Sequence, residues 1–132
     1  MTIATISLRG INIDDFDVSM LVSGTVTAAD VGKAVSLDTA TAGTVKLAAD
    51  GDAIIGELLT YENRVQEGIK IGTMSPKGSA RFTYTATAPS IGGQIQGAGA
   101  GVVKVLSGSN ARFPHFVTAV DTVASTVDVL FL

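Results

Sequence analysis

Cysteine is absent from the 132 residues, which excludes disulfide staples, thiolate nucleophiles and cysteine-based zinc sites. Tryptophan is absent as well, and two tyrosines and five phenylalanines are the whole aromatic complement. A carbohydrate site built on stacked aromatic platforms therefore has little to draw on. The one histidine, His115, lies between Pro114 and Phe116 in an apolar segment, a setting for a core or interface residue rather than a general base. The nine Lys and Arg stand singly from Arg9 to Arg112, the net charge is −3 and the pI is near 4.9. Nucleic acid needs a basic face, so it is not an expected partner. The start, MTIATISLRG, lacks a basic segment followed by an apolar core, so no signal peptide is expected. Phe82 to Val103 is free of charge for 22 residues, but its Gln, Thr, Ser, Pro and five Gly are too polar to face lipid. No membrane partner is expected.

What is present favours strands. Hydrophobic residues make up 46%, many of them Ala and Val, and 15 Gly stand beside only three Pro. Abundant Val and Thr punctuated by Gly suits many short strands better than long helices. The chain length fits one domain. The expected fold is all-β, a small β-barrel or sandwich of short antiparallel strands. Residues 1–24 are expected to form an N-terminal arm or edge strand, and residues 25–132 a single β-barrel domain.

The organising stretch is Val31 to Leu59, VGKAVSLDTATAGTVKLAADGDAIIGELL. Val31, Val35 and Leu37 alternate with smaller or polar residues, and Val45 and Leu47 flank Lys46, the period-2 pattern of a half-buried strand. Asp50-Gly51-Asp52 carries a strong hairpin signal, because Gly accepts positive φ. Apolar residues then resume at Ile54, Ile55, Leu58 and Leu59.

Before this stretch, Thr27-Ala-Ala-Asp30 is suited to cap one helical turn, which Gly32 stops. After it, Tyr61 to Arg64 reads as a polar link, Val65 to Ile71 as an extended restart, and Met74 to Gly78 as a loop. Arg81 to Ala86 is expected to be a strand with Phe82 and Tyr84 on one face. Gly97-Ala-Gly-Ala-Gly101 is not a dinucleotide loop: the last glycine of that fingerprint falls on Val102, and the following segment is β-like rather than helical. It reads as a glycine turn. Residues 113–120 and 126–132 close the chain as strands, with Val127, Val129 and Phe131 on one face.

The second half echoes the first. An offset of 58 places Ala42 on Ala100, Gly43 on Gly101, Val45 on Val103, Lys46 on Lys104 and Leu47 on Val105. VGKAV aligns with IGGQI once two residues are inserted, giving pseudo-repeats at 31–72 and 91–130. In a chain this rich in Val, Ala and Gly such identities arise by chance as readily as by duplication. The shared order of elements is the firmer signal.

Catalytic constellations are scarce. Asp50 and Asp52 are explained by their turn. Glu57, Glu62 and Glu67 recur every five residues, which matches neither a helix face nor a strand face. No serine sits in a GxSxG elbow. Lys46 and Lys104 read as solvent-face charges. No enzyme activity, metal, cofactor or small-molecule substrate is expected.

The run VGKAVSLD, then AGTVKLAADGDAIIGELL, then GIKIG resembles the small β-barrel decoration (cement) proteins of tailed bacteriophage capsids. The likeness lies in a Gly before a strand ending in Asp, a Gly-led second strand, a Gly-Asp turn and an apolar strand. Here these are Gly32 to Asp38, Gly43 to Leu47, Gly51-Asp52 and Ile54 to Leu59. The resemblance implies a structural virion protein that binds the outside of an assembled icosahedral capsid, with the major capsid protein as partner, and stabilises it. It also implies a homotrimer and carries no catalytic residues. An N-terminal arm that docks on a neighbour makes Ile3, Leu8, Ile11, Ile13 and Phe16 the candidate capsid or subunit interface. The alternative is a ligand-binding β module of tail, fibre or carbohydrate-binding type.

Overall fold

The computed structural model describes residues 17–107 and 114–132, and these are all-β. The strands are β1 (Val18–Val22), β2 (Ala34–Leu37), β3 (Thr44–Leu47), β4 (Gly56–Arg64), β5 (Ile69–Ser75), β6 (Gly78–Thr83), β7 (Ile95–Gly99), β8 (Val102–Val105), β9 (His115–Asp121) and β10 (Thr126–Phe131). Two single 3-10 turns, Ala28–Asp30 and Val65–Glu67, interrupt them.

Strands β1 to β5 close a barrel in the order β1-β3-β2-β4-β5, with β1 parallel to β3 and antiparallel to β5. Closure leaves this unit no free sheet edge. Its interior is packed by Val22, Val26, Val35, Val45, Leu58 and Met74, all buried. The expected helical turn forms at Ala28–Asp30, where the Asp30 carboxylate accepts the Thr27 backbone N–H at 2.9 Å. Gly32 follows at φ 95°, a conformation that costs a residue with a Cβ.

Strands β6 to β10 repeat this arrangement. β6 pairs antiparallel with β10, β10 with β9, and β7 with β8, as β1 pairs with β5, β5 with β4, and β2 with β3. The parallel β1–β3 contact returns as a single bridge between Tyr84 and Val103. Registers agree in detail. Val35, Ser36 and Leu37 face Leu47, Lys46 and Val45; Ile95, Gln96 and Gly97 face Val105, Lys104 and Val103. The β4–β5 ladder slips by one residue after Leu58↔Met74, and the β9–β10 ladder slips after Val117↔Val129. A bulge adds local twist, so the same bulge in both units bends them alike. Gly32 N–H donates to the Leu58 carbonyl at 2.7 Å and Gly92 N–H to the Val117 carbonyl at 2.8 Å. The second interior is larger and holds Phe82, Tyr84, Ile95, Val103, Val117, Val127, Val129 and Phe131. The two units thus share strand pairing and register, with two more residues in the β2–β3 turn than in the β7–β8 turn.

The two units differ at one seam. In the first, β2 and β4 pair through Ala34↔Glu57 and Val35↔Gly56, and Ile55 N–H donates to the Val35 carbonyl at 3.0 Å. In the second, the position of Ile55 is taken by Pro114, which has no N–H to give. The position of Gly56 is taken by His115, whose Nε2 accepts the Ile95 N–H at 3.0 Å. A side chain thus replaces a ladder rung, and the second unit resolves into a three-stranded and a two-stranded sheet.

The units join through the tip of the β7–β8 hairpin. Gly97 N–H donates to the Asp52 carbonyl and Gly51 N–H to the Gly97 carbonyl, both at 2.9 Å. A Cβ on Gly97 would run into the Ala49 carbonyl oxygen, so this close approach requires glycine. Ala34, Ala48 and Ile54 of the first unit are completely or almost completely buried in the second unit's core cluster.

Several expectations change. The described part of residues 1–24 contains β1, which is bonded on both sides as a barrel strand rather than standing as an arm or edge. The Asp50-Gly51-Asp52 turn does not close a hairpin, because β3 and β4 are not partners; it pairs with Gly97 instead. Tyr61 to Arg64 is no link but the second half of β4. Leu37 shares a face with Val35 yet is half exposed, since β4 covers β2 only at Ala34 and Val35 and leaves Leu37 at the barrel mouth. The glycine run is a turn only at Ala100-Gly101, both at positive φ, while Gly97 and Gly99 belong to β7. The strand expected at Arg81 starts earlier, at Gly78, with Phe82 and Tyr84 buried as read from the sequence.

Candidate functional site: an apolar groove between the two units

The polar side chains singled out by sequence are drawn into the fold. His115 is completely buried, its ring centroid is 5.7 Å from that of Phe131, and Gln94 Nε2 donates to its carbonyl at 3.4 Å. With Nε2 accepting a backbone amide, this nitrogen positions β7. At the equivalent place in the first unit, Gly56 lies against Ser75 and the end of the Met74 side chain, leaving no room for a Cβ, whereas His115 pairs with Phe131 in the second.

Asp50 and Asp52 form a clasp. Lys104 Nζ reaches Asp50 at 2.6 Å and Lys46 Nζ reaches Asp52 at 3.3 Å, so the two register-equivalent lysines converge on one turn from the two units. Both lysines are about one-third exposed and are more than the solvent-face charges the sequence suggested. Burial alone would push the Asp52 carboxyl up, but the Ala49 amide at 3.0 Å, the Ser36 hydroxyl at 2.9 Å and Lys46 together hold it below its usual range. Lys33, at 2.9 Å, and the Thr27 amide likewise hold the Asp30 carboxyl low against its burial. Arg81 grips Asp128 with two bonds of 2.6 and 3.0 Å and lowers its carboxyl. Glu57 behaves oppositely, pushed up by burial.

Glu62 and Glu67 both pair with Arg64 at 3.4 Å on the surface. Among the described residues no group of three or more His, Asp and Glu is placed to hold a metal ion, and no helix is long and apolar enough to cross a membrane.

The surface feature that stands out is apolar. Val18, Met20, Leu37 and Ile55 of the first barrel face Pro114, Phe131 and Leu132 of the second across a groove of about 340 Å³. Leu37 is 50% and Leu132 58% exposed. Fully burying a Leu side chain is worth roughly 1.5–3 kcal/mol, so covering the exposed half of each contributes about 1 kcal/mol. Elsewhere on the surface Val31, Ile91, Phe116 and Val123 are also exposed.

The candidates Ile3, Leu8, Ile11, Ile13 and Phe16 lie outside the described residues, although Val18, at the wall of the groove, begins the strand that follows them. Sequence reasoning missed the groove itself. Its residues come from β1, β2, β5, β10 and the segments that flank the strands, and of these Leu37 and Phe131 were read from the sequence as lying on one face of a strand. Their exposure depends on where neighbouring strands stop. No protein-family model matches the chain, and a search of curated proteins finds no relative.

Proposed function

We propose that this protein is a structural, non-catalytic capsid decoration protein that binds the outer surface of an assembled phage shell as a homotrimer and reinforces it. The observation that carries the reading is the apolar groove between the two units, on a chain in which His115, Lys46 and Asp52 are engaged within the fold. The order of Gly, Asp and apolar residues over Val31 to Gly72 supports it, and so does a closed-barrel architecture of the kind that resemblance implies. The candidate interface residues Ile3, Leu8, Ile11, Ile13 and Phe16 precede Val18 in the sequence and belong to the same proposal. The physical role is mass action. A protein that binds only assembled shell stabilises it by about 2.7 kcal/mol per site at a hundredfold excess over Kd. Incubation with capsids lacking the protein should give saturable binding and a higher rupture temperature. Capsids that neither bind it nor gain thermal resistance would remove the proposal. Localisation on the virion exterior, with assembly from protein made in the host cytoplasm, belongs to the same proposal.

A further inference from the structure

A different groove occurs at equivalent places in the two units, filled in the first and open in the second. In the first barrel, Gly101 at the tip of the β7–β8 hairpin accepts the Ala34 N–H at 3.2 Å and donates to the Ala48 carbonyl at 3.1 Å. Lys33 and Leu47 flank it closely. The register assigns Gly93, Gln94, Val105 and Leu106 as the second-barrel counterparts of Lys33, Ala34, Leu47 and Ala48. Those four, with Phe116, line an open groove of about 450 Å³. Ala34 and Ala48 are fully buried, but Gln94 and Leu106 are only half-buried, and Val105 and Phe116 are exposed. Among the described residues the Gln94 N–H and the Leu106 carbonyl have no hydrogen-bond partner, whereas the equivalent groups of Ala34 and Ala48 do.

The counterpart of the plug is also unused. Gly43 ends the β2–β3 turn at φ 67°, close to the 80° of Gly101, and residues 39–43 are exposed. Its N–H has no partner among the described residues, and its carbonyl, which borders the Leu21↔Thr44 pair of the β1–β3 ladder, has a second lone pair to offer. We propose that the β2–β3 hairpin of a second copy of this chain seats in the Gly93–Gln94/Val105–Leu106 groove. Gly43 would there accept from the Gln94 N–H and donate to the Leu106 carbonyl, repeating between chains the contact that Gly101 makes within one. Size agrees on both sides. The β2–β3 tip is two residues longer than the β7–β8 tip, and the groove that receives it has Gly93 for Lys33 and Val105 for Leu47. Leu37 stands where Gly97 stands, so the Gly97 pair of bonds to the Asp-Gly-Asp turn does not repeat. The contact consists of the Gly43 pair and the packing of Ala40 to Ala42 over Val105, Leu106 and Phe116.

Such a contact is head-to-tail, and head-to-tail contacts close into rings when the rotation per copy divides the circle. The absence of native cysteine allows a direct test. Ala42→Cys and Val105→Cys proteins, each alone and then mixed, are treated with a short thiol cross-linker. The mixture should give a covalent pair, each protein alone should give none, and the doubly substituted chain should give a ladder or a covalent ring. In sedimentation, wild-type protein should be a discrete oligomer that Val105→Glu, with its fold verified by circular dichroism, converts to monomer. A monomeric wild-type protein overturns the proposal, as does equal cross-linking of either variant alone. If deletion of residues 1–16 dissolves the oligomer while the mixed cysteines fail to link, that segment is the occupant and the proposal falls. No capsid enters these measurements, so their outcome is separate from that of the decoration reading.

Discussion

The first unit closes into a barrel with backbone pairing on every seam and a small interior of Val, Leu and Met side chains. The second, a three-stranded and a two-stranded sheet, sets Pro114 and a buried imidazole at one seam and packs a larger core that includes Phe82, Tyr84 and Phe131. The two share strand order, register and bulge position, so topology cannot account for the difference. Two substitutions at one seam do: Ile55 to Pro114 removes a donor, and Gly56 to His115 supplies an acceptor and a ring. A backbone rung can therefore be replaced by a side chain while strand order and register are kept, with His115 joining the backbone bonds that Val117 makes with Gly92 and Gly93 in holding that seam.

The strongest way to break this comparison is His115→Ala. It empties a completely buried site and strands the Ile95 N–H, for which a loss of about 3 kcal/mol is expected. Hydrogen exchange should show β7 and β9 losing protection before β2 and β4. Uniform loss across both barrels would mean that they unfold as one unit. Next is Gly97→Ala, which pushes a Cβ onto the Ala49 carbonyl oxygen and strains the joint between barrels; about 2 kcal/mol is expected from denaturant melts. Leu37→Ala, at the equivalent position of the first barrel, should change stability by under about 1 kcal/mol because that side chain is half exposed.

Acid should affect the two barrels unequally. Asp30 and Asp52 of the first and Asp128 of the second have lowered carboxyls. Groups with depressed folded values stabilise above the unfolded pKa and lose that contribution as pH falls through the folded value. Stability should thus decline below about pH 4, where free Asp begins to protonate. Asp30→Asn and Asp52→Asn together should flatten this decline more than Asp128→Asn. Glu57 has the opposite sign: its raised value means that ionisation disfavours the folded state above that value. Glu57→Gln should slightly raise Tm at neutral pH and leave it unchanged in acid. The smallest effect belongs to the clasp. Lys46→Met and Lys104→Met should each cost about 0.2–1 kcal/mol, shrinking with added salt, as partly exposed pairs do.

Much of this architecture was legible in the residues. Val127, Val129 and Phe131 alternate because they line an interior, and Phe82 and Tyr84 share a face for the same reason. Thr27 and Asp30 announce the capped turn, and VGK with IGG marks the repeated positive-φ glycine. The groove was not legible, since Leu37 looks identical in sequence to a buried residue two places from Val35. Nor was the part played by His115, whose apolar flanks indicate burial but not the amide it accepts from a strand 20 residues away.

What the sequence determined by itself is local: period-2 alternation, Gly and Asp at turns, and the absence of cysteine and basic clusters set an all-β chain of short strands in two similar halves. Tertiary structure alone decided what those pieces serve. Asp-Gly-Asp has the chemistry of a hairpin turn, yet strand pairing sends it to Gly97 on the other barrel. The physical reason is range. Turn and strand preferences act over a few residues, whereas exposure, seam completion and the filling of a groove depend on which distant strand ends where.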